Sequence, residues 1–221
     1  LGVETILQFK QRLATEFAGA ESFPHLRLVA IDTDPGALQQ ATTTGAHPLH
    51  NHETFLARLQ RPSHYLKTRD GKLPTDRWLN AKLLYRIPRE QNGAGARALG
   101  RLAFVDNYRA IARRLETELL ATTSQDTPHD PSPYSDLGLR TAKPRVYVVT
   151  SLTGNTGSGM MIDVAYLVRK LLNDQGHSDA EVVGVFLAPA VRRESAWLPS
   201  LGNTFAALQE LRAFSLPDTV F

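Results

Sequence analysis

Residues 145–163 read RVYVVTSLTGNTGSGMMID, a pattern that indicates a strand, a glycine-rich loop and a helix in succession. Its apolar first part, 145–151, predicts a buried strand, and a helix is predicted from about Gly159 to Asn173. In the loop between them, 153–159, glycines alternate with threonine, asparagine and serine. Glycine lets backbone N–H groups approach a ligand without a blocking Cβ, and the start of a helix carries partial positive charge. The loop therefore has the composition of a phosphate-binding turn.

The side chains of this loop admit two interpretations. Thr156 and Ser158 can donate hydroxyl hydrogen bonds to phosphate oxygens. The same residues also suit a tight strand-to-helix turn that holds no ligand. The loop matches neither GxxxxGK(S/T) nor GxGxxG, so it lacks the lysine of a P-loop and the fingerprint of a dinucleotide site. The missing fingerprint argues against a Rossmann-type enzyme that uses a dinucleotide.

Strands and helices alternate over the rest of the chain. Apolar runs predict two further strands, at 26–31 and 181–189. Apolar residues at helical spacing predict helices over 3–17, from Pro35 to Ala41, around 53–60, from the polar loop 88–96 to about Leu120, and over 205–214. This alternation predicts a parallel α/β sheet, which binds ligands at the carboxyl ends of its strands. The loop-like stretch 123–138 is predicted to be an exposed excursion.

The composition excludes several classes of site. The chain has no cysteine, which rules out disulfides, thiolate zinc sites and cysteine nucleophiles and fits a reducing compartment. Its formal net charge of +3 is too small to predict a nucleic-acid partner. No apolar run approaches the roughly 20 residues of a membrane span. The histidines at 47, 50 and 52 have only Glu53 beside them, so we predict no metal site there.

The sequence TGNTGSG at 153–159 resembles GGGTGSG and GGGTGTG, the signature of the loop that wraps the GTP phosphates in tubulins and FtsZ. The match covers Gly154 and residues 156–159. Thr153 and Asn155 stand where that signature has glycine, and asparagine tolerates a left-handed backbone better than threonine does. The loop is similar to the tubulin and FtsZ phosphate loop, with these two departures from it.

A second resemblance lies at VAIDTDPGAL, residues 29–38, which is similar to the VAINTDxQAL segment near the nucleotide in FtsZ. Asp32 replaces an asparagine, whereas Thr33 and Asp34 match. Carboxylates at the end of a strand can bind the ribose or hold Mg²⁺ through water. The alternative is an Asx-type turn that caps the helix beginning at Pro35.

A third resemblance lies at NGAGARALGRLAF, residues 92–104, which is similar to the GAGANPxxGRxAA loop that faces the γ-phosphate in FtsZ. The matching positions are Gly93, Ala94, Gly95, Gly100 and Arg101. Arg97 at the helix start can reach a phosphate with a bidentate fork, or it can be a solvated arginine. We predict a structural salt bridge for Arg101, one turn further along the helix.

Downstream, residues 186–208 resemble the ribose-binding loop and the helix that follows it in tubulins. Asn203, Thr204 and Leu208 occupy places comparable to a Pro-Tyr-Asn-Ala-Thr-Leu segment. Glu194 is the candidate ribose contact. Arg192 and Arg193 are candidate phosphate contacts, and the alternative for all of these residues is a polar surface loop.

The resemblance spans nearly the whole chain and is strongest to the large, divergent bacterial tubulin-like proteins. It implies one GTP-binding domain over residues 1–221, with a Rossmann-like, mostly parallel sheet and helices on both faces. It also implies that the first strand and most of the first glycine loop precede Leu1, with Gly2 as the last residue of that loop. A central helix and a C-terminal domain are expected after Phe221.

The functional implications follow from the same resemblance. The cofactors would be GTP or GDP with Mg²⁺, and the protein would be cytoplasmic and would self-associate into protofilaments. An adjacent subunit would complete GTP hydrolysis, so we assign no catalytic residue to this chain and expect it to hydrolyse GTP slowly alone. The nucleotide contacts would be Gly2, Asp32, Thr33, Asp34, Gly93, Ala94, Gly95, Arg97, Thr153, Gly154, Asn155, Thr156, Gly157, Ser158, Glu194 and Asn203. The alternative is a non-hydrolysing scaffold whose site has degenerated at Thr153 and Asn155.

Overall fold

The structure is a computed structural model that describes residues 1–17, 23, 25–67, 77–89, 93, 95–123, 143–189 and 198–216. Within these residues, helices and strands alternate along the chain. The helices are α1 (Gly2–Phe17), α2 (Pro35–Thr43), α3 (Pro62–Lys67), α4 (Arg97–Thr123), α5 (Thr156–Asp174) and α6 (Leu198–Phe214). The strands are β1 (Ala30–Asp32), β2 (Thr54–Leu56), β3 (Arg145–Ser151) and β4 (Glu181–Leu187).

The described strands form two parallel pairs. β1 lies beside β2 with Ala30 opposite Thr54, and β3 lies beside β4 with Ser151 opposite Leu187. Helices connect the strands, as parallel pairing requires. The predicted α/β class is therefore confirmed.

The sequence-based prediction of a helix around 53–60 is wrong. A 3₁₀ helix, Asn51–Glu53, precedes β2 in this segment. The Glu53 carboxylate is buried, where it pairs with Lys10 of α1 and accepts a hydrogen bond from the backbone N–H of His50. These contacts tie the segment to α1 and leave the residues after Glu53 extended along β1.

A hydrophobic core lies between α4, α5 and one face of the β3–β4 pair. Four of its fully or nearly fully buried side chains are Leu102 and Ile111 of α4 and Val168 and Leu172 of α5. Val146 and Val182 pack against it from the strands. A smaller cluster joins α1, α2 and β1, and another joins α5 to α6 through Ala207. These clusters hold the starts of α2, α4 and α5 on the same framework.

The β3–β4 pair is more exposed than the predicted buried strands 145–151 and 181–189. Only Thr150 and Ser151 of β3 are buried, and no residue of β4 is. Tyr147, Val185 and Phe186 are each more than a third exposed. The core described above covers one face of the pair, so apolar residues of the strands remain accessible elsewhere.

Two helices begin earlier than the sequence predicts, and both shifts matter for the site. α5 begins at Thr156 rather than at Gly159, so the second half of the glycine-rich loop is the first turn of a helix. α6 begins at Leu198 rather than at residue 205, so Asn203 lies within a helix. The strand predicted at 26–31 is only β1, three residues long.

Candidate functional site

The end of β1 meets the start of α5 through a buried hydrogen-bonded group. The Thr33 and Thr156 hydroxyl oxygens lie 2.7 Å apart, and the Thr156 hydroxyl donates to Asp32 Oδ1 at 2.8 Å. Asp32 Oδ1 also accepts from the backbone N–H of Thr33 at 2.7 Å and that of Asp34 at 3.2 Å. Thr33 is completely buried. The Asp32 carboxylate thus stabilises the turn over residues 32–34 and orients the Thr156 hydroxyl.

The loop before α4 joins the same group. The backbone N–H of Gly93 donates to the Thr33 hydroxyl at 3.2 Å, and Asn155 Nδ2 donates to it at 3.4 Å. A Cβ on Gly93 would lie only 1.9 Å from Asn155 Nδ2, so glycine allows the two loops to touch. The three segments singled out by sequence, around residues 33, 93 and 155, therefore meet at one place.

Asn203 of α6 bridges two of these loops. Its side-chain amide lies within hydrogen-bond distance of three carbonyl oxygens, those of Gly95 (3.1 Å), Thr153 (3.0 Å) and Gly154 (3.3 Å). Gly95 has a φ of +73°, a conformation that glycine adopts without strain. The Asn203 side chain therefore holds the loops together, while its carbonyl oxygen has no hydrogen-bond partner among the described residues.

Arg97 is engaged within the protein. Its Nε donates to Ser158 Oγ at 2.9 Å, and its two terminal nitrogens donate to the two Glu210 carboxylate oxygens at 2.7 and 2.6 Å. The sequence allows the Arg97 guanidinium to bind a phosphate through two of its nitrogens. In the structure two of its nitrogens bind Glu210 instead, because α6 places that carboxylate opposite the start of α4. The Arg97 side chain joins α4, α5 and α6.

Sequence reasoning missed Glu210. Its signal was the seven-residue spacing from Asn203, which places both residues on one face of a helix. That signal depends on α6 beginning before Asn203, whereas the sequence predicts the helix only from residue 205.

Most of the site glycines serve packing within the protein. A Cβ on Gly157 would lie 2.0 Å from the Thr150 hydroxyl, and one on Gly100 would lie 2.1 Å from the Asn155 carbonyl oxygen. A Cβ on Gly159 would lie 2.2 Å from the Arg97 carbonyl oxygen. Gly154 differs, because its nearest neighbour would be 4.0 Å away. The starts of α4 and α5 thus cross at backbone contact, and the loop is open at Gly154.

The first turn of α5 carries backbone donors without partners. No acceptor in the described ranges bonds the backbone N–H groups of residues 155–158; the first such bond runs from Gly159 to the Asn155 carbonyl. Asn155 precedes the helix in a helical conformation, and its side chain makes no capping hydrogen bond. The Thr156 and Ser158 side chains are buried and engaged as described above. The groups left for an anion are therefore backbone N–H groups at a helix start.

The sequence profile of a family described as "Tubulin like" matches residues 1–221. The chain belongs to the tubulin-like family. No curated protein and no solved structure matches it.

Asp34 caps α2 in this tubulin-like chain. Its Oδ1 accepts from the backbone N–H of Gly36 at 2.9 Å, which is the capping geometry that the sequence offered as the alternative to a ribose or Mg²⁺ contact. Gly2 opens α1 beside β3, where a Cβ would lie 3.4 Å from the Val149 carbonyl oxygen. Ala94, Glu194 and the two arginines at 192 and 193 lie outside the described residues, as does the predicted excursion 123–138 beyond Thr123.

The predicted salt bridge of Arg101 is confirmed. Arg101 Nε lies 3.3 Å from Asp163 Oδ2, and the guanidinium carbon lies 5.1 Å from the centre of the Trp78 ring. Burial raises the pKa of the Asp163 carboxyl above its ordinary value, and Arg101 opposes that rise. The tubulin-like chain thus has two neighbouring arginine–carboxylate pairs between its α4 helix and the helices beside it.

Two further findings concern metal ions and membranes. No group of three or more histidine, cysteine, aspartate or glutamate side chains that could hold a metal ion lies within the part of the chain that the structure describes. The His50 and His52 rings stack with their centres 5.2 Å apart. None of the described helices combines the length and the apolar character needed to cross a bilayer.

Proposed function

We propose that this tubulin-like chain is a guanine-nucleotide-binding domain that holds GTP or GDP with Mg²⁺ and assembles with other copies into filaments. The observation that carries the proposal is the meeting of three distant segments, around residues 33, 93 and 155, at the open start of α5. Family membership supports the same proposal.

In this proposal the backbone N–H groups of residues 155–158 bind the phosphates. Gly154 leaves space for the phosphates to approach, and the helix start contributes partial positive charge. The buried hydroxyls of Thr33 and Thr156 keep the donors in place and do not contact the ligand themselves. When bound, Mg²⁺ would neutralise phosphate charge; the carboxylate of Asp32, whose Oδ1 is engaged, suits contact with it through water.

Hydrolysis is proposed to need a second copy. Each described carboxylate beside the site, Asp32, Asp34 and Glu210, has at least one oxygen engaged within the protein. We therefore propose that an adjacent subunit completes the reaction. A turnover rate per subunit that rises with protein concentration would support this arrangement, and a rate independent of concentration would oppose it.

We also propose that the two strand pairs belong to one Rossmann-like sheet with helices on both faces. Both α1 and α5 contact β1 of one pair and β3 of the other, which supports a common framework. A strand between β1 and β3 would join the pairs.

A scaffold without nucleotide is the second candidate, and the glycines favour it. Packing against protein atoms accounts for Gly93, Gly100, Gly157 and Gly159 without a ligand. The side chain of Asn155, one of the two departures from the tubulin signature, is used in contacts between loops. A binding measurement separates the two candidates.

The test is the affinity of fluorescent GTP and ATP analogues with Mg²⁺ for the wild type, Gly154→Asp and Gly154→Asn. Gly154 is the suitable position because a Cβ there would have the Ser151 carbonyl oxygen, 4.0 Å away, as its nearest neighbour. Aspartate adds a negative charge beside the phosphates and asparagine has nearly the same shape. We expect Gly154→Asp to weaken GTP binding by about tenfold or more.

Gly154→Asn is the matched control, and it should lose much less affinity than Gly154→Asp. Preference for GTP over ATP would support the guanine assignment. Equal losses in the two variants would show that bulk, and not charge, decides binding. Absence of binding to either nucleotide by the folded wild type would favour the scaffold.

A further inference from the structure

Arg97 and Glu210 form an ion pair beside the open start of α5. Arg97 Nε donates to Ser158 Oγ, so the guanidinium lies directly beside the third residue of that helix. The Arg97 side chain is 12% exposed and that of Glu210 is 40% exposed. The largely buried Arg97 charge lies in contact with Ser158, so a change in its compensation by Glu210 acts on the neighbouring donors at short range.

The pair cancels the positive charge that Arg97 would otherwise contribute. Both terminal nitrogens of Arg97 are bonded to Glu210, the strongest geometry for an arginine–carboxylate pair. The next arginine on α4, Arg101, is paired with Asp163 through its Nε and one terminal nitrogen, each at 3.3 Å. With Asp32 and Asp34 also close, carboxylates outnumber arginines among the described residues around this site. Within the described part of the chain, the uncompensated positive potential there comes from backbone N–H groups.

α6 fixes Glu210 in this position. Asn203, two turns earlier on the same helix, is bonded to the loops on either side of the site, and Ala207 between them is completely buried. The carboxylate is therefore carried by a helix that is anchored to the loops at Asn203.

We infer that Glu210 sets the phosphate affinity of this site by neutralising Arg97. The inference rests on the proposed function and extends it. Glu210 limits how much more tightly the site binds a ligand of higher negative charge than one of lower charge. Removal of the Glu210 charge gives the site one uncompensated positive charge beside the phosphates. Binding then tightens in proportion to the charge of the ligand. If Glu210 had only a structural role, its substitution would weaken binding.

The experiment compares the wild type with Glu210→Gln, which keeps the size of the side chain and removes its charge. The ligands are fluorescent analogues of GTP, of GDP and of guanosine, each at low and at high salt. We expect GTP to bind about threefold to tenfold more tightly to the variant, GDP to gain less, and guanosine to stay unchanged. The gain should shrink at high salt because screening weakens the added attraction.

The double variant Arg97→Gln/Glu210→Gln shows whether Glu210 acts through Arg97. We expect its GTP affinity to return to within about twofold of the wild type, because neither charge remains. Thermal melts of all three proteins report whether each is folded at the assay temperature. Equal weakening of all three ligands, or an unchanged GTP affinity in folded Glu210→Gln, would overturn the inference.

Inorganic pyrophosphate separates this inference from the proposed function. If the wild type binds no nucleotide, the proposed function fails, but pyrophosphate should still raise the melting temperature of Glu210→Gln more than that of the wild type. If pyrophosphate stabilises both proteins equally or neither, the inference about Glu210 fails as well.

Discussion

The chain contains two strand-to-helix turns that end differently. In the turn from β1 to α2, Pro35 has no N–H group, and the N–H group of Gly36 is bonded to the Asp34 carboxylate. In the turn from β3 to α5, the residue before the helix makes no capping bond and the N–H groups of residues 155–158 have no described acceptor. At the first helix start the capping side chain engages the Gly36 N–H, whereas no side chain caps the second, so its N–H groups are available to an anion.

The comparison shows that side chains and backbone groups have different roles at the site. The side chains with phosphate-binding chemistry, Thr156, Ser158 and Arg97, are used to join elements of the protein. The backbone of the α5 turn supplies the donors. Four substitutions test this contrast between the two turns, and the first is expected to have the largest effect.

Gly100→Ala should damage the α5 turn most. The added Cβ would lie 2.1 Å from the Asn155 carbonyl oxygen and 3.0 Å from that of Thr156, and backbone atoms cannot move aside easily. We expect a loss of about 3 kcal/mol or more in the free energy of unfolding, measured by urea denaturation. Gly202→Ala is the control: it lies in α6 with open space around it and should gain about 0.5–1 kcal/mol. A Gly100→Ala protein as stable as the wild type would refute the close crossing of α4 and α5.

Asn155→Asp should convert the open turn into a capped one. A carboxylate before α5 would accept from the N–H groups of the first turn, as Asp34 does for α2, and would repel phosphate. We expect GTP affinity to fall by about tenfold or more while the protein becomes no less stable. Asn155→Ala is the control, since it removes the weak contact with Thr33 without adding charge. Equal affinities of the aspartate and alanine variants would argue against phosphate binding at this turn.

Thr33→Val should loosen the contact between the two turns. The substitution preserves shape and leaves the buried partners of the hydroxyl, the Thr156 hydroxyl and the Gly93 N–H, without it. We expect a cost of about 1–3 kcal/mol in thermal or chemical denaturation. Thr43→Val, at an exposed position on α2, should change stability by no more than about 0.5 kcal/mol. Similar costs for both variants would mean that the buried hydroxyl adds nothing.

Asp34→Ala should have the smallest effect on the site. It removes the cap of α2 and should cost about 1 kcal/mol in the free energy of unfolding. Because Asp34 serves the closed turn, GTP affinity should stay within about twofold of the wild type. A large loss of affinity in this variant would instead support the ribose contact, or the Mg²⁺ contact through water, that the sequence offers for Asp34.

The sequence predicts which segments meet but not how their side chains are used. The turns around residues 33 and 155 could be placed together because parallel strands present their carboxyl ends at one edge of a sheet. The loop around residue 93 could be placed beside them only through its resemblance to the γ-phosphate loop of FtsZ. The bond between Arg97 and Glu210 joins residues 113 positions apart and depends on where α6 begins. Local patterns cannot supply that information. The β2 strand was missed for a similar reason, because the buried Lys10–Glu53 pair that ties it to α1 is a long-range contact.

Phosphate binding at the open turn is tested most directly by titrating the isotopically labelled wild type with GTP and Mg²⁺. The amide NMR signals of the two helix starts are monitored during the titration. We predict large shifts for residues 155–158 at the start of α5 and little change for residues 36–38 at the start of α2. Unchanged signals at 155–158 under conditions where GTP binds, or larger shifts at 36–38, would contradict the claim that the open turn holds the phosphates.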